Sequence, residues 1–259
     1  MYKLKDFLSF LEQYAPLSLS YKMIEKGSYD NSGIIVDNGK VVQKVLFSLD
    51  LTCDSVKKAC ELGADTIVTH HPAIYAPLKS LSVDGQGEAV LLAIKNGINV
   101  ISMHLNLDLA KKGIDYWLST AFSQGKQTIL DFLDNEHGYG RKVEFNGTME
   151  DLYKKAKEVF KTDKILVYGS GKIGSIATFC GSGGSVALDL IRKNSCDADV
   201  IITSDLAHHE LLEMIERGKK VLILPHYVSE EYGFNKFYEW TKHNGDKIQA
   251  YYFDDKRFR

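Results

Sequence analysis

Short β-branched runs recur along the chain, each bounded by turn residues. They cover residues 44–49, 65–69 and 99–103 in the first half and 176–180, 199–203 and 220–224 in the second. Runs of this length and composition read as buried strands. Helical periodicity fills the intervals at 54–62, 88–95 and 108–122, then from the turn after 180 through 194, and again up to Gly218. Gly63, Gly97 and Gly218 stand where such helices would stop. At the N-terminus, Leu4, Phe7, Leu8 and Leu11 fall on one face of a further helix. Strands alternating with helices predict an α/β protein with central sheets flanked by helices. A polar, glycine-containing stretch at 123–148 separates the halves. It holds an expected edge strand at 142–145, and Thr148 with Asp151 forms a capping pattern for a helix to Phe160. The expected organisation is therefore two similar α/β lobes, 1–125 and 126–259.

The halves also resemble each other in detail. Ala64-Asp65-Thr66-Ile67-Val68-Thr69 aligns without gaps with Ala198-Asp199-Val200-Ile201-Ile202-Thr203. The next strand ends at His104 in one half and at His226 in the other, with Pro225 as the single insertion. Each of these histidines is followed four positions later by a carboxylate, Asp108 and Glu230. Ordered features of this kind favour an internal duplication.

Candidate chemistry collects just beyond the strand ends, where α/β sheets place metals and substrates. His70 and His71 follow the 65–69 run directly. Neighbouring side chains in an extended strand point to opposite faces, so both can serve one site only where the strand stops and bends. Pro72 keeps His71 out of helical geometry. The His-x3-carboxylate spacing puts both groups on one helix face. Imidazole with carboxylate suits zinc, iron, manganese or nickel. A lone His-x3-Glu is more often a surface pair; two copies beside a His-His exit point to metal. Five or six such groups exceed the usual four of a structural zinc and fit two ions. Three features keep two readings each. Asp205 with His208 and His209 is either a capped helix start or part of a pocket. The turn 181–185 either presents backbone N–H groups to a phosphate or is a plain tight turn. Residues 29–33 form either a turn or a pocket rim.

Composition narrows the class. The 259 residues have a formal net charge of −2, which gives no electrostatic case for nucleic acid or an acidic membrane surface. No apolar stretch approaches the roughly 18 residues that cross a bilayer, and residues 1–8 lack a signal-peptide core. The four cysteines show no Cys-x-x-Cys spacing, and Cys60 and Cys180 fall in apolar patterns expected to be buried. A cytoplasmic, reduced protein is expected.

Several tracts resemble one family: Tyr29-Asp30-Asn31-Ser32-Gly33, Leu49-Asp50-Leu51-Thr52, residues 63–72 ending Thr69-His70-His71-Pro72, residues 77–81, His104-Leu105-Asn106-Leu107-Asp108, residues 181–185 and His226-Tyr227-Val228-Ser229-Glu230. In this order they are similar to the Ngg-interacting-factor-like dinuclear metal-centre proteins, often labelled GTP cyclohydrolase type-two homologs. The resemblance implies two α/β lobes, two divalent metal ions in the cleft between them, and a homohexameric ring. It implies His70, His71, Asp108, His226 and Glu230 as metal ligands, with Glu230 bridging. His104 fits the motif with either a ligand or a proton-transfer role, the catalytic candidate of the set. The family's tryptophan is replaced by Tyr29 and its glycine by Pro225, so the pocket lining departs from the pattern. The expected activity is metal-dependent hydrolysis of a nucleotide or related heterocycle. The competing expectation is a non-enzymatic metal-binding or adaptor protein.

Overall fold

The computed structural model describes residues 1–85 and 87–259. In chain order its strands are β1 (Gly33–Val36), β2 (Lys44–Ser48), β3 (Thr66–Thr69), β4 (Asn99–Ser102), β5 (Thr128–Phe132), β6 (Gly138–Thr148), β7 (Leu166–Tyr168), β8 (Lys172–Thr178), β9 (Val200–Thr203), β10 (Lys220–Ile223) and β11 (Gln249–Phe253). Among the described residues they form two sheets. The fold is mixed α/β, with helices flanking each sheet, as the sequence predicts.

The first compact unit comprises residues 1–110 and 234–255. Its sheet runs β1-β4-β3-β2-β11. The last four are mutually parallel, and β1 lies antiparallel to β4. Every residue of β3 and β4 is buried, as expected of parallel strands covered on both faces. One face packs Leu46, Ile67 and Val100 against Val56, Ala59, Val90 and Ala93 of the helices Cys53–Leu62 and Glu88–Lys95. Gly63 closes the first of these helices at φ +64°, a left-handed position that favours glycine. The N-terminal helix Leu4–Leu11 buries Leu4, Phe7, Phe10 and Leu11. Phe10 thus takes the inward place read for Leu8.

The second unit comprises residues 111–233 and 256–259. Its sheet runs β5-β6-β8-β9-β10-β7, with β8, β9 and β10 parallel. The helix predicted at 108–122 is two helices, Leu105–Leu109 and Ile114–Phe122, and they fall in different units. Ala110 adopts an extended ψ of 151° between them, and Gly113 precedes the second. The expected edge strand at 142–145 is the middle of the 11-residue β6, which lies between β5 and β8. Thr148 and Asp151 make the reciprocal cap read from sequence, opening the helix Met149–Phe160. Cys60, read as buried, is exposed, and no disulfide joins the cysteines among the described residues. No helix of the described residues is long and apolar enough to cross a membrane.

The likeness between the two halves extends to hydrogen bonds. Asp65 Oδ2 accepts from the N–H groups of Gln43 and Lys44 at the start of β2. Asp199 Oδ2 accepts from those of Gly174 and Ser175 in β8. The carbonyl of Asp65 accepts from Asn99 N–H, and that of Asp199 from Lys220 N–H. In each unit the aligned aspartate thus ties three neighbouring parallel strands together.

Candidate metal centre

In the first unit, β3 ends at Thr69, and the N–H groups of His70 and His71 both donate to the Leu49 carbonyl, at 3.1 and 3.0 Å. The backbone bends there, and the two rings converge with centroids 5.0 Å apart. This is the geometry that two adjacent histidines need to serve one site. His104 follows β4, its N–H donating to Ser32 Oγ at 3.0 Å. Its ring stands 5.2 Å from that of His70 and 5.8 Å from that of His71. One nitrogen from each of the three imidazoles lies within 4.8 Å of the others, close enough to hold a metal ion. Asp108 joins them on the helix Leu105–Leu109, with Oδ1 3.5 Å from His70 Nε2. That short helix is held by Asn106, whose N–H donates to Ser20 Oγ and whose side chain donates to the Ala15 carbonyl.

The opposite ring nitrogens show what each imidazole can offer. His70 Nδ1 lies 2.8 Å from the Met103 carbonyl, His71 Nδ1 2.7 Å from Asp50 Oδ1, and His104 Nδ1 2.7 Å from Asp30 Oδ1. Carbonyl and carboxylate oxygens only accept, so each Nδ1 carries the proton and each Nε2 presents its lone pair. Oxygen acceptors behind histidine rings are a hallmark of metal sites, where they set tautomer and orientation. The donor set therefore fits a divalent cation. Burial acts to raise the Asp30 carboxyl, but hydrogen bonds from His104, Ser20 and Ser32 outweigh it and hold the group below the usual aspartate value. An ionised Asp30 is a strong acceptor for His104 Nδ1 and so sets the orientation of that ring.

In the second unit, His226 and Glu230 stand one turn apart at the start of the helix His226–Asn244, with Nε2 and Oε2 3.1 Å from each other. His226 Nδ1 lies 2.8 Å from Asp205 Oδ2, which also accepts from Ser182 Oγ. Partial burial raises the Asp205 carboxyl, while Ser182 and His226 pull it to a net value below normal. Asp205 thus orients the His226 ring. His208 and His209 open the helix His208–Glu216, are exposed, and join no metal-capable group among the described residues. For Gly181 the structure supplies a packing reason. It has φ +57°, and a Cβ there would run into Glu230 Oε1 and approach His226 Cε1 to 3.4 Å. The glycine makes room for the Glu230 carboxylate.

Sequence reasoning did not single out Asp30 and Asp50 as orienting groups. Both lie in tracts that carry the family resemblance, 29–33 and 49–52, and that was the available signal.

Two α/β units carrying histidine–carboxylate groups able to hold a metal define the class of protein. A family model described as Duf34/NIF3 (NGG1p interacting factor 3) matches residues 2–254, and the chain belongs to this family. It is 32% identical over 236 residues to a Clostridium perfringens protein named GTP cyclohydrolase 1 type 2 homolog, covering 88% of this chain and 87% of that one. It is 29% identical over 232 residues to NGG1-interacting factor 3 of Saccharomyces cerevisiae, covering 78% and 79%. Among solved structures, reduced HcgD from Methanocaldococcus jannaschii matches with a TM-score of 0.80 at 27% identity, over 97% of this chain and 98% of that one. A Bacillus cereus protein related to NIF3 matches with a TM-score of 0.83 over 97% and 96%; at 18% identity this likeness shows the fold alone.

Proposed function

We propose that this chain is a dinuclear metal-dependent hydrolase acting on a nucleotide or related heterocycle. His70, His71, Asp108, His226 and Glu230 are its metal ligands, with Glu230 shared between the ions. The observation that carries this reading is the set of four histidines whose Nδ1 atoms all face oxygen acceptors, three of them converging in the first unit. When bound, two divalent ions supply Lewis acidity and lower the pKa of water toward neutrality. The protein's part is to fix the tautomer and turn of its imidazoles, which Asp30, Asp50, Asp205 and the Met103 carbonyl do. His104 groups with His70 and His71 and serves either as a sixth ligand or as the proton-transfer group. Proton transfer by His104 would require its Nε2 to stay off the ion. The nucleotide substrate follows the name of the Clostridium perfringens relative.

The second reading is a non-enzymatic metal-binding adaptor. It is favoured by the yeast relative, whose name denotes an interaction rather than a reaction. Turnover separates the two. Metal-loaded protein should hydrolyse GTP or another nucleotide, and Asp108→Ala should abolish that activity. Turnover surviving Asp108→Ala contradicts the assignment. Inactivity toward every nucleotide, with metal still bound, supports the adaptor reading.

A further inference from the structure

Beside the histidine cluster of the first unit stand two aromatic rings that its metal chemistry does not use. Tyr29 is 48% exposed and Tyr75 is 52% exposed. Their ring centroids are 5.1 Å apart with planes at 64°, an edge-on arrangement. Tyr75 in turn lies 6.1 Å from the His104 ring, at 87° to it. The placement follows from the local chain. Asp30 is buried and bonded to His104 Nδ1, while its neighbour Tyr29 is half exposed. Asn31 Nδ2 donates to the Ile74 carbonyl at 2.7 Å, tying the segment of Tyr29 to that of Tyr75. Asp30 and Asn31 thereby fix the ring pair relative to the imidazoles.

We propose that Tyr29 and Tyr75 form a stacking corner for a planar nitrogen heterocycle, such as a purine, beside the metal-binding histidines. Exposed single aromatics are ordinary. Two large rings braced edge to face, half exposed and adjoining a polar cluster, provide what base recognition uses: one ring face to stack on and a second ring to bound the edge. Stacking is tolerant of base identity, so the corner selects an aromatic ring rather than one particular base. The inference deepens the nucleotide reading above, from which the class of heterocycle is taken; the ring geometry is separate evidence.

The test is calorimetric titration of intact, metal-loaded protein with guanosine and, as a ligand without a base, ribose 5-phosphate. Guanosine should bind, and Tyr75→Ala or Tyr29→Ala should weaken it by roughly tenfold, whereas Tyr75→Phe and Tyr29→Phe stay within about twofold of wild type. Affinity for ribose 5-phosphate and metal content should be the same in all variants. The proposal is overturned if wild-type protein binds no guanosine, if both alanine variants bind it at full strength, or if the phenylalanine variants lose as much as the alanine ones. Guanosine binding that depends on the rings, without turnover of any nucleotide, removes the hydrolase reading and keeps the corner. Turnover in a protein whose alanine variants bind guanosine normally does the reverse.

Discussion

Replacing Arg141 by methionine should destabilise the protein by about 3–5 kcal/mol above neutral pH, the usual cost of stripping a buried charge of its partner. Arg141 and Asp115 are both almost fully buried in the second unit, with Nη1 3.7 Å from Oδ2. Arg141 Nη1 also donates to the Gly138 carbonyl at 2.8 Å, and Thr178 Oγ1 lies 3.5 Å from Asp115 Oδ1. Burial pushes the Asp115 carboxyl from 3.8 up to about 7, against the pull of Arg141. A pKa raised in the folded state contributes stability that is full below about pH 4 and lost as pH rises through about 7. Removing the guanidinium raises that pKa further, so the variant should lose more at pH 8 than at pH 5. Urea unfolding at the two pH values measures this. Pairing the change with Asp115→Asn should remove the part of the loss that grows between pH 5 and pH 8. A loss below about 1 kcal/mol at pH 8 would mean that the pair carries little structural weight.

Gly181→Ala should weaken metal binding by about 10–100-fold, the range seen when groups that position ligands are disturbed. The left-handed backbone at Gly181 costs any other residue roughly 1–2 kcal/mol. The larger effect is steric. The added Cβ would run into Glu230 Oε1 and sit 3.2 Å from the Glu230 carboxyl carbon. Glu230 is only 3% exposed, so its side chain has little space to swing aside. Gly171→Ala is the control, because Gly171 also has a positive φ, +83°, but a Cβ there meets nothing within 4 Å. Competition against a chelator compares the two. Equal metal affinity in both variants would contradict the role given to Gly181.

The strands that the sequence revealed are those whose burial is written locally. β2, β3, β4, β9, β10 and the buried end of β8 are short, mostly buried runs, and the ends of β3, β4 and β10 lead into the histidines. β5 and β7 escaped because their side chains are largely exposed, so no apolar pattern marks them. β11 escaped because its pairing with β2 is distant in sequence and leaves no local trace. The break near Ala110 had a visible signal in Gly113, which the apolar periodicity on either side concealed. The same contrast holds within the site. His70-His71 and the two His-x3-carboxylate pairs are short-range patterns. Asp50 and Asp30 lie 21 and 74 positions from the histidines they orient, and only the folded sheet brings them there.

The most direct test of a dinuclear centre is elemental analysis of protein saturated with a single divalent metal, together with Glu230→Ala. Two ions per chain are expected, and because Glu230 is proposed to be shared, the variant should lose occupancy of both. One ion per chain at saturation, or full occupancy after Glu230→Ala, would contradict the dinuclear assignment.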